Sequence, residues 1–135
     1  MKYFKLLKIL ALVPAFFLVQ ILHAQEFRLS NYLKKGEKDA TLAVMAMLQD
    51  ASQHKNSKVI IEEGTYHFYP TFAPDFYCAI TNNDNGLKRT PFPLIGFDGL
   101  EIDGNGSEFI FHGKMLPFII QNSSNLTIKN FSIDW

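Results

Sequence analysis

The sequence predicts a mainly β protein, the first part of a β-solenoid with a helix at its N-terminal end. The first observation is a repeat. When Pro91 is aligned with Pro117, the apolar residues of the two segments fall at the same positions. The second is the content of the repeat, which consists of short β-like segments without a helix and is therefore typical of a solenoid. The third is the composition of the corners, where glycine and asparagine accept unusual backbone angles at low cost. The matching positions are Pro91-Phe92 with Pro117-Phe118, Leu94 with Ile120, Leu100 with Leu126, Ile102 with Ile128, and Gly104 with Asn130.

Residues 1–24 have the pattern of a secretory signal peptide. Lysines at positions 2, 5 and 8 precede an apolar run over residues 9–19, and the small residue Ala24 stands before Gln25. The run is short and contains Pro14, which favours a cleaved leader over an uncleaved membrane anchor, the alternative. We therefore expect a secreted or periplasmic protein without stable membrane insertion, whose residues 25–135 hold the N-terminal cap and the first turns of a truncated β-helix domain.

The charge that remains after the leader argues against one class of partner. The sequence has 13 Lys+Arg and 13 Asp+Glu, and three of the lysines belong to the leader, which leaves a net charge of −3. No basic stripe follows the chain, so nucleic-acid binding is not expected.

A helix is predicted over residues 39–53. Asp39 can cap it, since a carboxylate accepts hydrogen bonds from the first backbone N–H groups of a helix. Leu42, Met45, Leu48 and Ala51 or Ser52 recur every three to four positions and predict one apolar face. The first turn of a solenoid needs a cover, because it would otherwise expose apolar surface and unpaired backbone groups. We expect this helix to be that cover.

After the helix the pattern changes to that of strands. Residues 58–70, KVIIEEGTYHFYP, combine an apolar run, a Glu-Glu-Gly turn and an alternating segment, which predicts strand, turn and strand. Residues 70–90 contain two prolines and the cluster NNDNG, which predicts a long loop. The sequence stops at Trp135 within a predicted strand, after fewer than two full copies of the repeat. We therefore expect it to be the N-terminal part of a longer protein.

The stretch LEIDGNGSEFIFHG, residues 100–113, carries most of the side chains that suggest chemistry. Its GNG resembles the start of a dinucleotide-binding loop, but a β-like segment follows where a helix is needed. Aligned with a calcium loop, it has His112 where a bidentate carboxylate is required, so no metal site is predicted. Glu108 and Asp134 are 26 positions apart, the same spacing as Pro91 and Pro117 in the repeat. They could therefore stack as an outward carboxylate pair of the kind that glycosidases use. Alternation points Glu108, His112 and Asp134 outward, where they either line a groove or form ordinary solvated surface.

Two longer stretches give a family resemblance. LEIDGNGSEFIFHGKMLPF, followed by NLTIKNFSIDW, resembles the α-1,3-galactosidases of glycoside hydrolase family 110. GEKDAT and EEGTYHFYP are similar to the capped start of the wider pectate-lyase-like superfamily. The IDGNG and GTYHF pieces are common to many β-helices, whereas FHGKMLPF with FSIDW carries the resemblance to the family. Together these stretches extend over residues 36–135.

The resemblance implies a right-handed parallel β-helix in a secreted or periplasmic bacterial enzyme. It also implies hydrolysis of terminal α-1,3-linked galactose from oligosaccharides, with inversion by two carboxylates that admit a water between them. No metal or organic cofactor is implied. We expect the catalytic carboxylates beyond Trp135 and therefore an inactive 135-residue chain. Within it, His112, Lys114 and Asp134 are the expected contacts to a galactose-containing oligosaccharide or glycan.

Two other functions are compatible with the sequence, because a fold does not determine function. A polysaccharide lyase on the same β-helix would need basic residues or calcium on later turns of the solenoid. A non-catalytic carbohydrate-binding or surface β-solenoid would show regular turns without a pocket.

Overall fold

The computed structural model describes residues 24–79 and 85–135, which form a mainly β fold with one α-helix. The predicted signal peptide lies outside the described residues except for Ala24. Within the described ranges, no helix has both the length and the apolar character needed to cross a membrane. The helix α1 spans Thr41–Ala51, and the strands are β1 Glu26–Arg28, β2 Ser57–Ile60, β3 Thr65–Phe68, β4 Asp75–Cys78, β5 Gly86–Arg89, β6 Phe92–Ile95, β7 Asp98–Phe111, β8 Phe118–Gln121 and β9 Ser124–Asp134.

Strand β7 is the centre of the fold. It pairs in parallel with β2 along its first half, with β3 along its second half, and with β9 along most of its length. Strand β1 pairs in parallel with β2, and β6 pairs in parallel with β8 in a separate sheet. The strands of the main sheet therefore all run in the same direction. Parallel neighbours of this kind need a crossover connection. The mainly β class with one helix is therefore confirmed.

The strand register confirms the predicted repeat over β6 and the first half of β7. A residue there lies opposite its predicted counterpart in β8 or β9, so similar side chains stack across the strands. The pairs that match the prediction are Phe92 with Phe118, Leu94 with Ile120, Leu100 with Leu126, and Ile102 with Ile128.

The repeat does not hold along the whole of β7. Between Asp103 and Ser107 the register shifts, because β7 has three residues at this corner where β9 has only Asn130. The offset between the two strands becomes two positions shorter, so the predicted stacking of Glu108 on Asp134 is wrong. After the shift, the opposed residues are Ser107 and Phe131, Glu108 and Ser132, Phe109 and Ile133, and Ile110 and Asp134.

Asparagine and glycine form the corners, as predicted. Four asparagines there have φ between 47° and 61°, the left-handed region that asparagine tolerates better than most residues. Gly104 is needed for a different reason, since a Cβ at this position would lie 2.7 Å from Cβ of Phe131 and 2.8 Å from the carbonyl oxygen of Asn130. The four asparagines with positive φ at corners are Asn105, Asn122, Asn125 and Asn130.

Inward side chains along the strands form an aromatic core. Phe68, Phe92 and Phe109 are fully buried, and their ring centroids lie 5.3 to 5.6 Å from one another. The ring of Phe131 continues this stack on β9, nearly parallel to that of Phe109 at 4.7 Å. Such ring pairs add to the free energy gained from burial alone. The predicted inward direction of Phe109 and Phe111 is confirmed by their complete burial.

Helix α1 packs against β1, β2 and β6 and is shorter than predicted. Oδ1 of Asp39 accepts a hydrogen bond from the backbone N–H of Thr41 at 2.9 Å, which confirms Asp39 as the capping carboxylate. The predicted apolar face is only partly right, because Leu48 and Ala51 are buried whereas Leu42 is 46% exposed. The buried face follows a neighbouring set of positions at helical spacing, Val44, Met47, Leu48 and Ala51.

The segment predicted as a long loop, residues 70–90, contains a hairpin. Strands β4 and β5 pair in antiparallel fashion, with Asp75 opposite Arg89. Nε of Arg89 donates to Oδ1 of Asp75 at 2.8 Å. Each strand has only four residues, so neither shows an alternation long enough to be recognised in the sequence. Residues 80–84, between the two strands, lie outside the described ranges.

Candidate functional site

One outward surface gathers most of the side chains expected to act in function. It is formed by the second half of β7 together with β3 and the end of β9. Buried Phe68, Phe109 and Phe111 alternate there with residues that point away from the core. We call this outward set the β3–β7–β9 face. Its members are Thr65, His67 and Tyr69 from β3 and the residue after it, Glu108, Ile110 and His112 from β7 and the residue after it, and Ser132 and Asp134 from β9.

Three rings meet on the β3–β7–β9 face. Nδ1 of His67 lies 2.9 Å from Nε2 of His112, so one of these nitrogens donates a proton and the other accepts it. The ring of Tyr69 stacks on that of His112 at 4.2 Å between centroids, with only 5° between the ring planes. His112 is therefore held by a hydrogen bond and by a ring stack, both from the chain segment of β3.

This arrangement suits a polyhydroxylated ligand. Flat ring surfaces lie next to ring nitrogens and a phenol hydroxyl, and binding sites commonly combine apolar walls with a few polar groups of this kind. Thr65 and Glu108 extend the polar part, with the Thr65 hydroxyl 3.5 Å from Oε2 of Glu108. A sugar ring could pack an apolar C–H surface on an aromatic ring while its hydroxyls bond to the polar groups.

The structure separates the three predicted contact residues. His112 lies on the β3–β7–β9 face, directly after the end of β7, beside His67 and Tyr69. Asp134 lies on the same face, exposed, opposite Ile110, and its Oδ1 accepts the backbone N–H of Trp135 at 2.8 Å. Lys114 lines a separate cavity beside the β4–β5 hairpin. The roles of all three in binding stay predictions.

Sequence reasoning missed His67 and Tyr69. The signal was present, because alternation in GTYHFYP places both on the side opposite buried Phe68. Their meeting with His112 depends on the register between β3 and β7, and the repeat, which begins after β3, gives no information about that register.

The acidic residues of LEIDGNG lie on the first half of β7 and are held by ion pairs. Oε1 of Glu101 lies 3.0 Å from Nζ of Lys129 and 3.4 Å from Nζ of Lys58. The hydrogen bond from Lys129 is the main cause that keeps the pKa of Glu101 below its usual range. Asp103 accepts a hydrogen bond from Nδ2 of Asn130 at 2.9 Å, the main cause of its lowered pKa.

Through these contacts, the acidic side chains of LEIDGNG link neighbouring strands. Lys58 comes from β2, Glu101 and Asp103 from β7, and Lys129 from β9, so opposite charges alternate across three parallel strands. In the part of the chain that the structure describes, no group of three or more His, Cys, Asp or Glu side chains could hold a metal ion.

Three proteins similar to this chain carry the name alpha-1,3-galactosidase. No protein-family model matches the chain. Alpha-1,3-galactosidase A of Shewanella woodyi is 44% identical over 97 residues, which is 72% of this chain and 16% of that protein. Alpha-1,3-galactosidase B of Bacteroides thetaiotaomicron is 38% identical over 103 residues, 72% of this chain and 17% of that protein. The protein of the same name from Akkermansia muciniphila is 31% identical over 116 residues, 85% of this chain and 14% of that protein.

Proposed function

The chain is a relative of the α-1,3-galactosidases and fits a part of glycoside hydrolase family 110, and we propose that the protein to which it belongs releases terminal α-1,3-linked galactose from oligosaccharides. The observation that carries this proposal is the 44% identity over 97 residues with the Shewanella woodyi protein. The chain spans about one sixth of the length of the curated relatives it matches. The substrate class we propose is a galactose-containing oligosaccharide or glycan, and the chemistry is hydrolysis with inversion.

The fold we propose for the longer protein is a right-handed parallel β-helix, with α1 as the cap of its first turn. The constant offset between β6 and β8, and along the first half of β7 and β9, supports this architecture. The packing of α1 against β1, β2 and β6 supports its role as a cap.

In this proposal the β3–β7–β9 face is a wall of the substrate site. His112, with His67 and Tyr69, contacts the sugar, and Asp134 lies at the edge of this contact. The two catalytic carboxylates belong to residues beyond Trp135, so the 135-residue chain alone is inactive. An inverting enzyme needs these carboxylates roughly 6.5–9.5 Å apart so that a water can enter between them.

We also propose that the protein is exported and is secreted or periplasmic. The support is the basic start, the apolar run over residues 9–19 and the small residue before Gln25. The test is the N-terminal sequence of the exported protein, which should begin at or near Gln25. Retention of Met1 would contradict cleavage.

The function is tested by exchange of segments. The 97-residue matched segment of the Shewanella woodyi enzyme is replaced by the corresponding segment of this chain, and galactose release from an α-1,3-galactosyl disaccharide is measured. We expect activity within about ten-fold of the parent enzyme, because a segment with the same structural role preserves the barrier to within about 1.4 kcal/mol. The parent enzyme without the segment and the 135-residue chain alone serve as controls and should release no galactose. Proton NMR of the first product should show β-galactose.

Two results would contradict the proposal. One is a folded chimera, shown by cooperative melting, that releases no galactose. The other is cleavage of a uronic-acid polymer by the chimera, which would support a polysaccharide lyase instead.

A further inference from the structure

Two side chains of the β3 segment hold the ring of His112 on the β3–β7–β9 face. The last residue pair of β3 and β7 is Phe68 with Phe111. Tyr69 and His112 follow directly, so their rings are neighbours and stack. His67 lies two residues before Tyr69 and reaches His112 diagonally, with 2.9 Å between Nδ1 of His67 and Nε2 of His112. The stack restricts the tilt of the His112 ring, and the hydrogen bond restricts its rotation.

The backbone beneath the two histidines is hydrogen-bonded on both sides of β3. Asp39, just before α1, forms a parallel bridge with His67. The N–H of Ala40 donates to the carbonyl of His67 at 2.9 Å, and the N–H of His112 donates to the carbonyl of Phe68 at 2.9 Å. The distance between the two rings is therefore set by the sheet.

The bond between the two histidines also links their proton positions. A neutral imidazole has one N–H donor and one acceptor nitrogen, and the hydrogen bond at one nitrogen decides the role of the other. If Nδ1 of His67 donates, Nδ1 of His112 carries the proton of its ring. If Nδ1 of His67 accepts, Nδ1 of His112 is an acceptor. In either arrangement Nδ1 of His112 has one defined role.

This second nitrogen of His112 is open to a ligand. Within residues 24–79 and 85–135, the bond to His67 is the only hydrogen bond of the His112 side chain. In the same ranges, no buried side-chain nitrogen or oxygen lacks a hydrogen-bond partner. Nδ1 of His112 therefore reaches solvent.

We propose that His67, besides its place on the β3–β7–β9 face, is a positioning residue, which holds the ring and the proton of His112 so that Nδ1 of His112 meets one sugar hydroxyl in a fixed role. This inference rests on the proposed function, which puts a sugar on that face. A hydroxyl donates and accepts, so it suits either role of Nδ1. A ring that is already oriented loses less freedom when the sugar binds. The contribution of His67 to binding should therefore depend on the presence of His112.

The test is a double-mutant cycle on the binding of galactose to the galactosidase chimera, followed by NMR titration. We expect His67→Ala and His112→Ala each to weaken binding by about two- to thirteen-fold, the range of one hydrogen bond. The double variant should bind about as weakly as His112→Ala alone, because residues that act together are not additive. Two independent contacts would instead multiply their factors.

Two amide substitutions separate positioning from a merely structural role. The amide of His67→Asn is attached to Cγ, as Nδ1 of the imidazole is, so it can still bond to Nε2 of His112. The amide of His67→Gln lies one atom further out and loses that bond. We expect His67→Asn to bind galactose within about two-fold of wild type and His67→Gln to resemble His67→Ala. Nitrogen-15 NMR of the imidazoles should show one tautomer of His112 in wild type and His67→Asn, and a mixture in His67→Gln.

Each outcome decides the role of His67. Losses that multiply in the double variant overturn the proposal, as do equal binding by His67→Asn and His67→Gln and an unmutated chimera that does not bind galactose. Where an alanine variant does not melt cooperatively, the comparison of His67→Asn with His67→Gln decides alone. A chimera that binds galactose with the expected coupling but releases none from an α-1,3-galactosyl disaccharide counts against the proposed function and leaves the positioning role supported.

Discussion

Lys129 shows how single residues join neighbouring strands in this fold. Its Nζ lies 3.0 Å from Oε1 of Glu101 and 3.8 Å from Oδ2 of Asp103, across the boundary between β9 and β7. The hydrogen bond to Glu101 is the main cause of the raised pKa of Lys129. Glu101 in turn has a lowered pKa, so folding favours its charged form.

The variant Lys129→Gln should lower stability in a pH-dependent way. The unfolded carboxyl groups titrate near 4.5 for Glu101 and 3.8 for Asp103, and both have lower pKa values in the folded chain. Their stabilisation is therefore present above pH 4.5 and is lost as the pH falls through the folded pKa values. Urea denaturation between pH 3 and 7 should show a gap between wild type and variant that narrows on acidification. A gap that widens at low pH, or an equal effect of Lys34→Gln, would contradict this link.

A substitution of His112 tests whether the β3–β7–β9 face contacts the substrate. In the galactosidase chimera, His112→Ala should lower kcat/KM for an α-1,3-galactosyl disaccharide by about two- to thirteen-fold, since one hydrogen bond contributes roughly 0.5–1.5 kcal/mol. His54→Ala is the matched control, because His54 is exposed and its ring packs on that of Phe27, which is not part of this face. An unchanged kcat/KM, or the same loss in both variants, would remove His112 from the site.

At the scale of the residue, the sequence predicts the side of a strand on which a side chain lies better than it predicts which side chains touch. Alternation correctly separates outward Glu108 and His112 from inward Phe109 and Phe111. The pairing of His112 with His67 joins residues 45 positions apart. No local pattern specifies that pairing, because it depends on how β3 is aligned on β7.

At the scale of the elements, the corner between the two halves of β7 is closely packed. Gly104→Ala would place a methyl group 2.7 Å from Cβ of Phe131 and 2.8 Å from the Asn130 carbonyl oxygen. Overpacking of this kind costs about 1–3 kcal/mol. We therefore expect a clear loss in the free energy of unfolding, measured by chemical denaturation.

The control for this corner is Gly106→Asn. Gly106 has φ +84° and open space around its Cβ position, and asparagine tolerates positive φ, so the cost should stay below about 1 kcal/mol. A larger loss for Gly106→Asn than for Gly104→Ala would show that backbone angle, and not close approach, controls the corner.

The elements are predictable where the pattern is long. The helix and the register of β6 and of the first half of β7 follow from spacing that extends over many residues. The β4–β5 hairpin and the exposure of Leu42 do not, because they depend on short strands and on which of two adjacent helix faces meets the core.

At the scale of the whole molecule, three of the exposed apolar side chains lie on β8 and at the end of β9. Ile120 is 56% exposed, Ile133 is 41% exposed and Trp135 is 63% exposed. Ile133 lies opposite fully buried Phe109, and Ile120 lies opposite fully buried Leu94, so both positions face the core side of the fold. Contiguous apolar surface next to an open strand edge favours association.

The 135-residue chain should therefore associate as its concentration rises. Sedimentation velocity should show larger species for wild type and a shift towards monomer for Ile120→Lys/Ile133→Lys, with cooperative melting as the check on folding. Leu42→Lys, which changes an exposed apolar residue on α1, should associate like wild type. A wild-type chain that stays monomeric over the whole concentration range would contradict this expectation.

The register shift at the β7 corner also constrains how this fold can tolerate changes in chain length. The shift shortens the offset between β7 and β9 by two positions, an even number. Since side chains alternate between the two sides of a strand, a change by an even number keeps every residue on its own side, whereas a single inserted or deleted residue exchanges core and surface side chains. Natural length variation within these strands should therefore come in pairs of residues.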